Sequence, residues 1–405
     1  MQAVKKMKRF KYILLVLSAL CMQALTMSAA NVFYRIGRWT DNYLMQGLDT
    51  NYIALPEHSW HVSLNSAMVG IHSDYASYND DLWGTLVLHM RSTPSIELGF
   101  NAGYRGFGFG YSWDLLHAYS TNLNISLGSK SMGLEFMRQV STNLQGSIEL
   151  QNYPDIDGTL SPGFFWITNT YLSAWYALNS KHYNHNAAIK QSYIQRRTAG
   201  SLLLSLSYLS TDLSVHDSVK YDGIPVVSIL LDGVTRMVTH QVSVGLGYGI
   251  NYTPNNGKVV LHAAAFAQLV CFSINQVSVG LPDSLALPGE PYFNIKPHFP
   301  VHVTGTIRAA VSWEINKWVH LSAWGQVNNL RFNSSKDELT VLKMSNWNWQ
   351  AHLTLGVRFG AGKERVRKAF ADEPLPQKVT IEVPARKKQL PRWITDYFFS
   401  SHLTD

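Results

Sequence analysis

The chain has 405 residues, with only 15% charged against the about 25% of an ordinary globular protein, and 12% aromatic. Of its formal charge of +7, five units lie in the first 30 residues, beyond which 29 basic face 27 acidic side chains, so nothing points to nucleic-acid binding. Only Cys271 lies beyond residue 30, which excludes a disulfide framework or cysteine zinc site there, and the absence of any later run of 18 apolar residues excludes a helical membrane protein.

In chain order, Lys5, Lys6, Lys8, Arg9 and Lys11 precede a mostly apolar stretch from Tyr12 to Leu25 and the small residues Ser28-Ala29-Ala30. This pattern predicts a secretory signal peptide over 1–30, cleaved after Ala30. Leu20 stands where a lipoprotein would need a small residue before Cys21. Residues 31–57 read as a periplasmic lead-in.

Segments of period two then recur, the signature of strands with two unlike faces. Trp60 to Ile71 and Trp83 to Arg91 are the first pair. Ser92-Thr93-Pro94 reads as a tight turn. Ile96, Leu98, Phe100, Ala102 and Tyr104 alternate with Glu97, Gly99, Asn101, Gly103 and Arg105. Phe107 to Leu115 alternates aromatics with glycine, Ser112 and Asp114, and Leu123 to Leu127, then Leu134 and Phe136, continue the series. Residues 140–162 read as a loop, Phe164 to Leu178 and roughly Ala187 to Gln195 as strands, Leu202 to Tyr208 as a strand, and 211–236 as irregular. Val242 to Ile250 alternates with glycine and serine, and Asn255-Asn256-Gly257 is a hairpin signal leading into Val259 to Phe272. A proline-rich loop over roughly 273–298 precedes Val301 to Ile315, and Asn316-Lys317 turns into Val319 to Val327.

Residues 347 to 359 are the clearest strand. Trp347, Trp349, Ala351, Leu353, Leu355, Val357 and Phe359 form one face; Asn348, Gln350, His352, Thr354, Gly356 and Arg358 form the other. Aromatics at the ends of a greasy face are expected of a strand that faces lipid, so Trp347, Trp349, Phe359 and Trp313 read as a lipid-facing girdle. The fold expected is all-β: an antiparallel up-and-down transmembrane β-barrel of about 12 to 14 strands over 58–360. The strands approach the roughly 9 to 11 residues that a tilted membrane-spanning strand needs. A soluble β-sandwich, whose strands run to about 5 to 6 residues, is the alternative. Residues 361–405 hold nine basic and six acidic residues with prolines at 374, 376, 384 and 391, so they read as an extended periplasmic tail able to contact a periplasmic or cell-wall partner.

Three passages resemble a Bacteroidetes family of outer-membrane-type proteins that is a domain of unknown function. They are Asp49 to Ile53, Gly103 to Leu115, and Asn186 to Gln195 leading into Thr198 to Ser201. The resemblance spans about residues 40–360. It implies an outer-membrane barrel and supplies no activity, cofactor or catalytic residue. It also implies an acidic residue after Ser192, where this chain has Tyr193.

The face opposite the lipid carries Glu97, Arg105, Asp114, Glu135, Arg308, Glu314 and Arg358. Charges inside a barrel must pair or meet water, so these are the candidate lumen charges, either bracing the lumen or setting a pore's selectivity. Gly-Phe-Gly-Phe-Gly over 106–110 lacks the helix and Lys-Ser/Thr of a phosphate loop; its small inward residues let the wall pack against interior side chains or bend. The histidines, among them His72, His117, His182, His185 and His240, share no ligand spacing. No metal, cofactor or catalytic residue is expected. The expected partner is outer-membrane lipid around a monomer. Three roles follow: passage of small or amphiphilic solutes first, an architectural or surface-interaction barrel with a plugged lumen second, and a lipid-modifying enzyme third.

Overall fold

The structure, a computed structural model, describes residues 40, 43–44, 46–79, 84–117, 120–151, 159–216, 220–221, 224–225, 234–254, 257–279, 292–295, 302–335 and 340–360. The signal peptide, the 361–405 tail and the Asn255-Asn256 part of the hairpin signal lie outside the described residues. The chain divides into two units, 1–362 and 363–405.

The elements are β1 (Ile53–Ala54), β2 (Trp60–Asn79), β3 (Gly84–Ser92), β4 (Ser95–Tyr104), β5 (Phe107–Asp114), β6 (Ser120–Gly128), β7 (Met132–Leu150), β8 (Thr159–Ala177), helix α1 (Asn186–Ile189), β9 (Ile194–Gln195), β10 (Ala199–Val215), β11 (Lys220–Tyr221), β12 (Ile224–Pro225), β13 (Val234–Tyr252), β14 (Val259–Val279), β15 (Tyr292–Ile295), β16 (His302–Glu314), β17 (Val319–Ser335) and β18 (Thr340–Phe359). Twelve of them close an antiparallel barrel in the order β2, β4, β5, β6, β7, β8, β10, β13, β14, β16, β17, β18. The seam is the longest pairing, β18 on β2, running from Phe359↔Trp60 to Thr340↔Asn79. The end with Trp60 and Phe359 is here the turn end and the opposite one the loop end; the longest connections, 216–233 and 280–301, lie at the loop end, whereas the turn end has connections of two to six residues and one long one, 178–198.

Ser92-Thr93-Pro94 does not reverse the chain. Both β3 and β4 pair antiparallel with β2, Arg91 opposite His72 and Ser95 opposite Val69, so the two strands are one strand interrupted. Proline has no N–H for the ladder, and the interruption sits where it falls. The hydroxyl of Ser92 accepts the Ile71 N–H at 2.7 Å, replacing the lost ladder partner. Past this break β3 pairs directly with β7 (Leu86↔Leu150), while nearer the turn end the hairpin β5–β6 is wedged between β4 and β7. Ten strands thus become twelve along the wall. Three loop expectations also give way: β7 extends to Leu150, β10 and β13 reach into 211–236, and 273–298 holds the end of β14, to Val279, and β15. Ala187 to Gln195 forms α1 and the two-residue β9, as the candidate site requires.

The apolar face changes sides along the strands. Near the turn end the outward positions are apolar, as with Leu202, Leu204 and Leu206 on β10, while Ser201, Ser205 and Ser207 point inward and are buried. Trp313, Trp347 and Phe359 are 50%, 41% and 44% exposed on that outer surface, and Trp349 is half-buried over Gly70, where a Cβ would run into its indole. Toward the loop end the inward positions become apolar. Tyr75, Leu86, Leu88, Met90, Leu144, Ile148, Phe165, Ile167, Leu213, Met237, Val277 and Met344 pack into one core inside the barrel. Burial of each such side chain contributes about 1.5–3 kcal/mol.

Replacing Ser92 by alanine is expected to leave the Ile71 N–H without an acceptor and to cost about 1–3 kcal/mol. Urea unfolding of the refolded barrel in detergent measures it; a loss below about 0.5 kcal/mol would mean the break needs no hydroxyl.

Candidate functional site: a plugged barrel end

Connection 178–198 enters the lumen at the turn end. Tyr183, Asn184, His185, Ala187 and Ala188 are buried, and Ala188 and Ile189 of α1 pack on Val260, Ala310 and the half-buried Trp324 of the wall. Beneath them β9 pairs antiparallel with β1, and Leu44, Ile53 and Leu55 of the lead-in pack on Ala187 and Tyr193. Tyr193 is therefore a core residue, which accounts for an apolar ring where the family resemblance implies an acid. Gly128 allows the close fit, since a Cβ there would meet the Asn186 amide.

Charge holds the plug in place. Lys190 Nζ lies 2.8 Å from Glu135 on β7 and donates to Asn124 at 3.0 Å. Arg308 of β16 reaches the other Glu135 oxygen at 3.0 Å, across the lumen from β7. Arg358 of β18 donates to Glu314 at 2.6 Å, and its other arm donates to the carbonyl and side-chain oxygens of Gln191 at 3.3 and 3.1 Å. Gln195 accepts from Asn184 N–H and from Asn251 Nδ2, both at 3.1 Å, and donates to the His182 carbonyl at 2.6 Å. Arg105 donates to the Pro56 carbonyl at 2.8 Å, tying the first turn to the lead-in. Arg105 and Gln191 are the non-glycine residues with positive φ, 52° and 56°, among those described. Such backbone costs of order 1–3 kcal/mol, and at both positions the buried hydrogen bonds offset it.

Of the seven lumen-charge candidates, Arg105, Glu135, Arg308, Glu314 and Arg358 converge on this end. Glu97 and Asp114 do not; they are register partners near the β5–β6 tip, with Glu97 accepting from Ser112 and Ser120. The residues that sequence reading missed are the plug's own: Lys190, Gln191, His185, Tyr183 and Gln195. The one available signal was negative, since Tyr183 to Asn186 has no alternation.

A cavity of about 80 Å³ lies between plug and wall, lined among others by His61, Asn65, Arg105, Asn122, Lys190 and His352. Gly106, Gly108 and Gly110 also line it, and a Cβ at these positions would run into the Gly128 carbonyl, the Ser126 hydroxyl and the Asn101 side-chain oxygen. The cavity is large enough for ordered water. Above it, polar side chains bridge strands that are not neighbours: Asn348 of β18 donates to Gln139 of β7 at 2.8 Å, and Gln241 of β13 donates to the Arg331 carbonyl of β17 at 3.3 Å. The apolar core follows. The lumen is thus closed at three levels.

His185 sits against Trp175, His262 and Phe266, with Nδ1 3.0 Å from the Tyr183 hydroxyl. Burial, reinforced by His262 and Arg308, holds its pKa well below the ordinary 6.5, and burial pushes the Tyr183 phenol up. Among the described residues no group of three His, Cys, Asp or Glu could hold a metal ion. The His89–Asp74 pair, at 2.7 Å, has no serine hydroxyl bonded to it among those residues.

The family model described as "Domain of unknown function (DUF4421)" matches residues 47–359. The three resembling passages contribute to this end: Asp49 to Ile53 leads into β1, Arg105 to Ser112 of the second passage line the cavity, and Asn186 to Gln195 is the plug. No curated protein matches the sequence. Among solved structures the chain is similar to the outer membrane protease OmpT of Escherichia coli (10% identity, 76% of this chain and 98% of that one, TM-score 0.31). It is also similar to the translocator domain of the autotransporter NalP of Neisseria meningitidis (10%, 83% and 99%, TM-score 0.32) and to the outer membrane protein OprG of Pseudomonas aeruginosa (10%, 77% and 100%, TM-score 0.28).

Two outcomes test the plug. Glu135→Gln strands Lys190 and Arg308 without their carboxylate and is expected to cost about 3–5 kcal/mol, read as lost amide-exchange protection over 184–192; Lys190→Met, which keeps the Arg308–Glu135 pair, is expected to cost less. For His185 the sign is fixed by its depressed pKa: a displaced plug takes up a proton below about 6.5 that the seated one refuses. Protection over 184–192, corrected for intrinsic exchange, is therefore constant above that pH and falls toward about pH 5, and His185→Phe weakens the dependence.

Proposed function

Because the chain belongs to the DUF4421 family, whose description leaves function open, we propose a role from geometry alone: an outer-membrane barrel with a closed lumen that works by engaging an envelope partner rather than as an open pore. The observation that carries this reading is the connection 178–198 folded into the turn end and held there by Glu135 and Arg358. The outward belt of leucines and aromatics supports the outer membrane as its location, with the short turns on the periplasmic side. The closed ladder leaves no free edge among its twelve strands, which favours a monomer. With the lumen shut, the surfaces left for a partner are the loop end, the turn end around β1 and β9, and the 361–405 tail. Passage of small or amphiphilic solutes is the second reading, favoured by the polar, water-exchangeable character of the plug's bonds and by the cavity behind it.

Planar-bilayer recording separates the two. The refolded full chain is expected to give no conductance steps while running as a folded, heat-modifiable band. Regular steps from wild-type protein would overturn the closed-lumen role and favour passage. Removal of 361–405 is expected to abolish co-purification of an envelope protein without opening the barrel; unchanged capture would move the contact to the loops.

A further inference from the structure

The outer wall carries a second site, independent of the lumen. Five adjacent strands change character at one hydrogen-bonded row, in which Arg138 of β7, Thr170 of β8, Ser210 of β10, His240 of β13 and Ile274 of β14 are successive register partners. On the turn-end side, the outward residues of the next row are Phe136, Leu172, Tyr208, Val242 and Phe272. On the loop-end side they are Val140, Thr168, Asp212, Val238 and Gln276. This is the edge of the greasy belt. On β10, Leu202 to Ser210 is eight steps, about 27 Å along the strand at about 3.4 Å each; at a tilt of about 35–45° that covers about 19–22 Å, most of the about 25 Å height of a barrel's apolar band.

At this edge the wall is dented. A depression of about 300 Å³ is lined by Arg138, Thr168, Thr170, Ser210, Arg236 and His240 and also by Asp212. Arg236 makes a two-point pair with Asp212 at 2.8 and 2.7 Å, and His240 Nδ1 lies 2.9 Å from the Tyr208 hydroxyl. Arg138 is exposed and has no acceptor among the described residues. Hydroxyls and guanidinium groups lining one depression are a phosphate's donors, and at a membrane boundary the phosphate available is that of a lipid headgroup.

We propose that this outer-wall depression binds the phosphate of an outer-leaflet phosphorylated glycolipid, with Arg138 as the main ligand and Arg236 assisting. The acyl chains then lie along Leu172, Leu206 and Val244, which are exposed below it.

Native mass spectrometry of the full chain in detergent micelles tests this, with diphosphoryl lipid A and its phosphate-free counterpart as probes. The wild type is expected to retain the phosphorylated probe at least about tenfold better, about 1.4 kcal/mol. Arg138→Gln is expected to remove most of that preference while Arg331→Gln, an exposed arginine elsewhere on the barrel, leaves it intact. Both variants are exposed-residue changes, and an unchanged heat-modifiable band shows that each folds. Equal retention of the two probes, or an Arg138→Gln chain that still discriminates, overturns the proposal. So does full displacement by inorganic phosphate at equal concentration, which would make the site one for the free anion.

Discussion

Everything in this fold follows from a change of solvent along a single strand. The pleat sends successive side chains to opposite faces except at a bulge, such as that of Cys271 in β14, so one strand cannot choose its faces residue by residue. Where the outside is hydrocarbon, the outward parity of β10 is leucine and the inward parity is serine. Where the outside is water, the inward parity turns apolar, with Leu213, Ile167 and Met344 in a packed interior. The barrel is thus inside-out near the turns and conventional near the loops.

That arrangement obliges the polar half of the lumen to satisfy itself. Buried amides and charges without partners are costly, and a water-filled bore is one solution. This chain uses another: side chains bridge across the lumen, Asn348 to Gln139 and Arg308 to Glu135, and the connection 178–198 supplies the donors and acceptors that wall residues lack. Glu135 shows why the plug is specific. One carboxylate faces Arg308 of the wall through one oxygen, and Lys190 of the plug together with Asn124 of the wall through the other, so it meets both of its cations only when the plug is seated.

The wall is not uniform either. The break at Pro94 and the wedged β5–β6 hairpin take ten strands to twelve, widening the barrel at the end that has to accommodate the plug. The edge of the apolar belt, where Arg138 follows Phe136 on β7, is likewise a product of where each strand leaves hydrocarbon.

Strand period, the greasy outer face and the placing of charges on the inner face were legible in the residues, because alternation is local and each strand carries its own record of it. Trp347 to Phe359 announces a barrel without help from any other segment. The turn at Pro94 was misread because a proline stops a ladder whether the chain reverses or continues, and only pairing with β2 distinguishes the two. The plug was misread as a strand because a four-residue helix and a two-residue strand have too few residues to show a period; what makes Asn186 to Gln195 fold is Glu135, Arg358 and Asn251, each distant in sequence. The sequence by itself determined which side of each ribbon meets lipid, since that depends on neighbours two residues apart. Whether the lumen is open depended on side chains brought together from opposite walls, and that was decided only when the barrel closed.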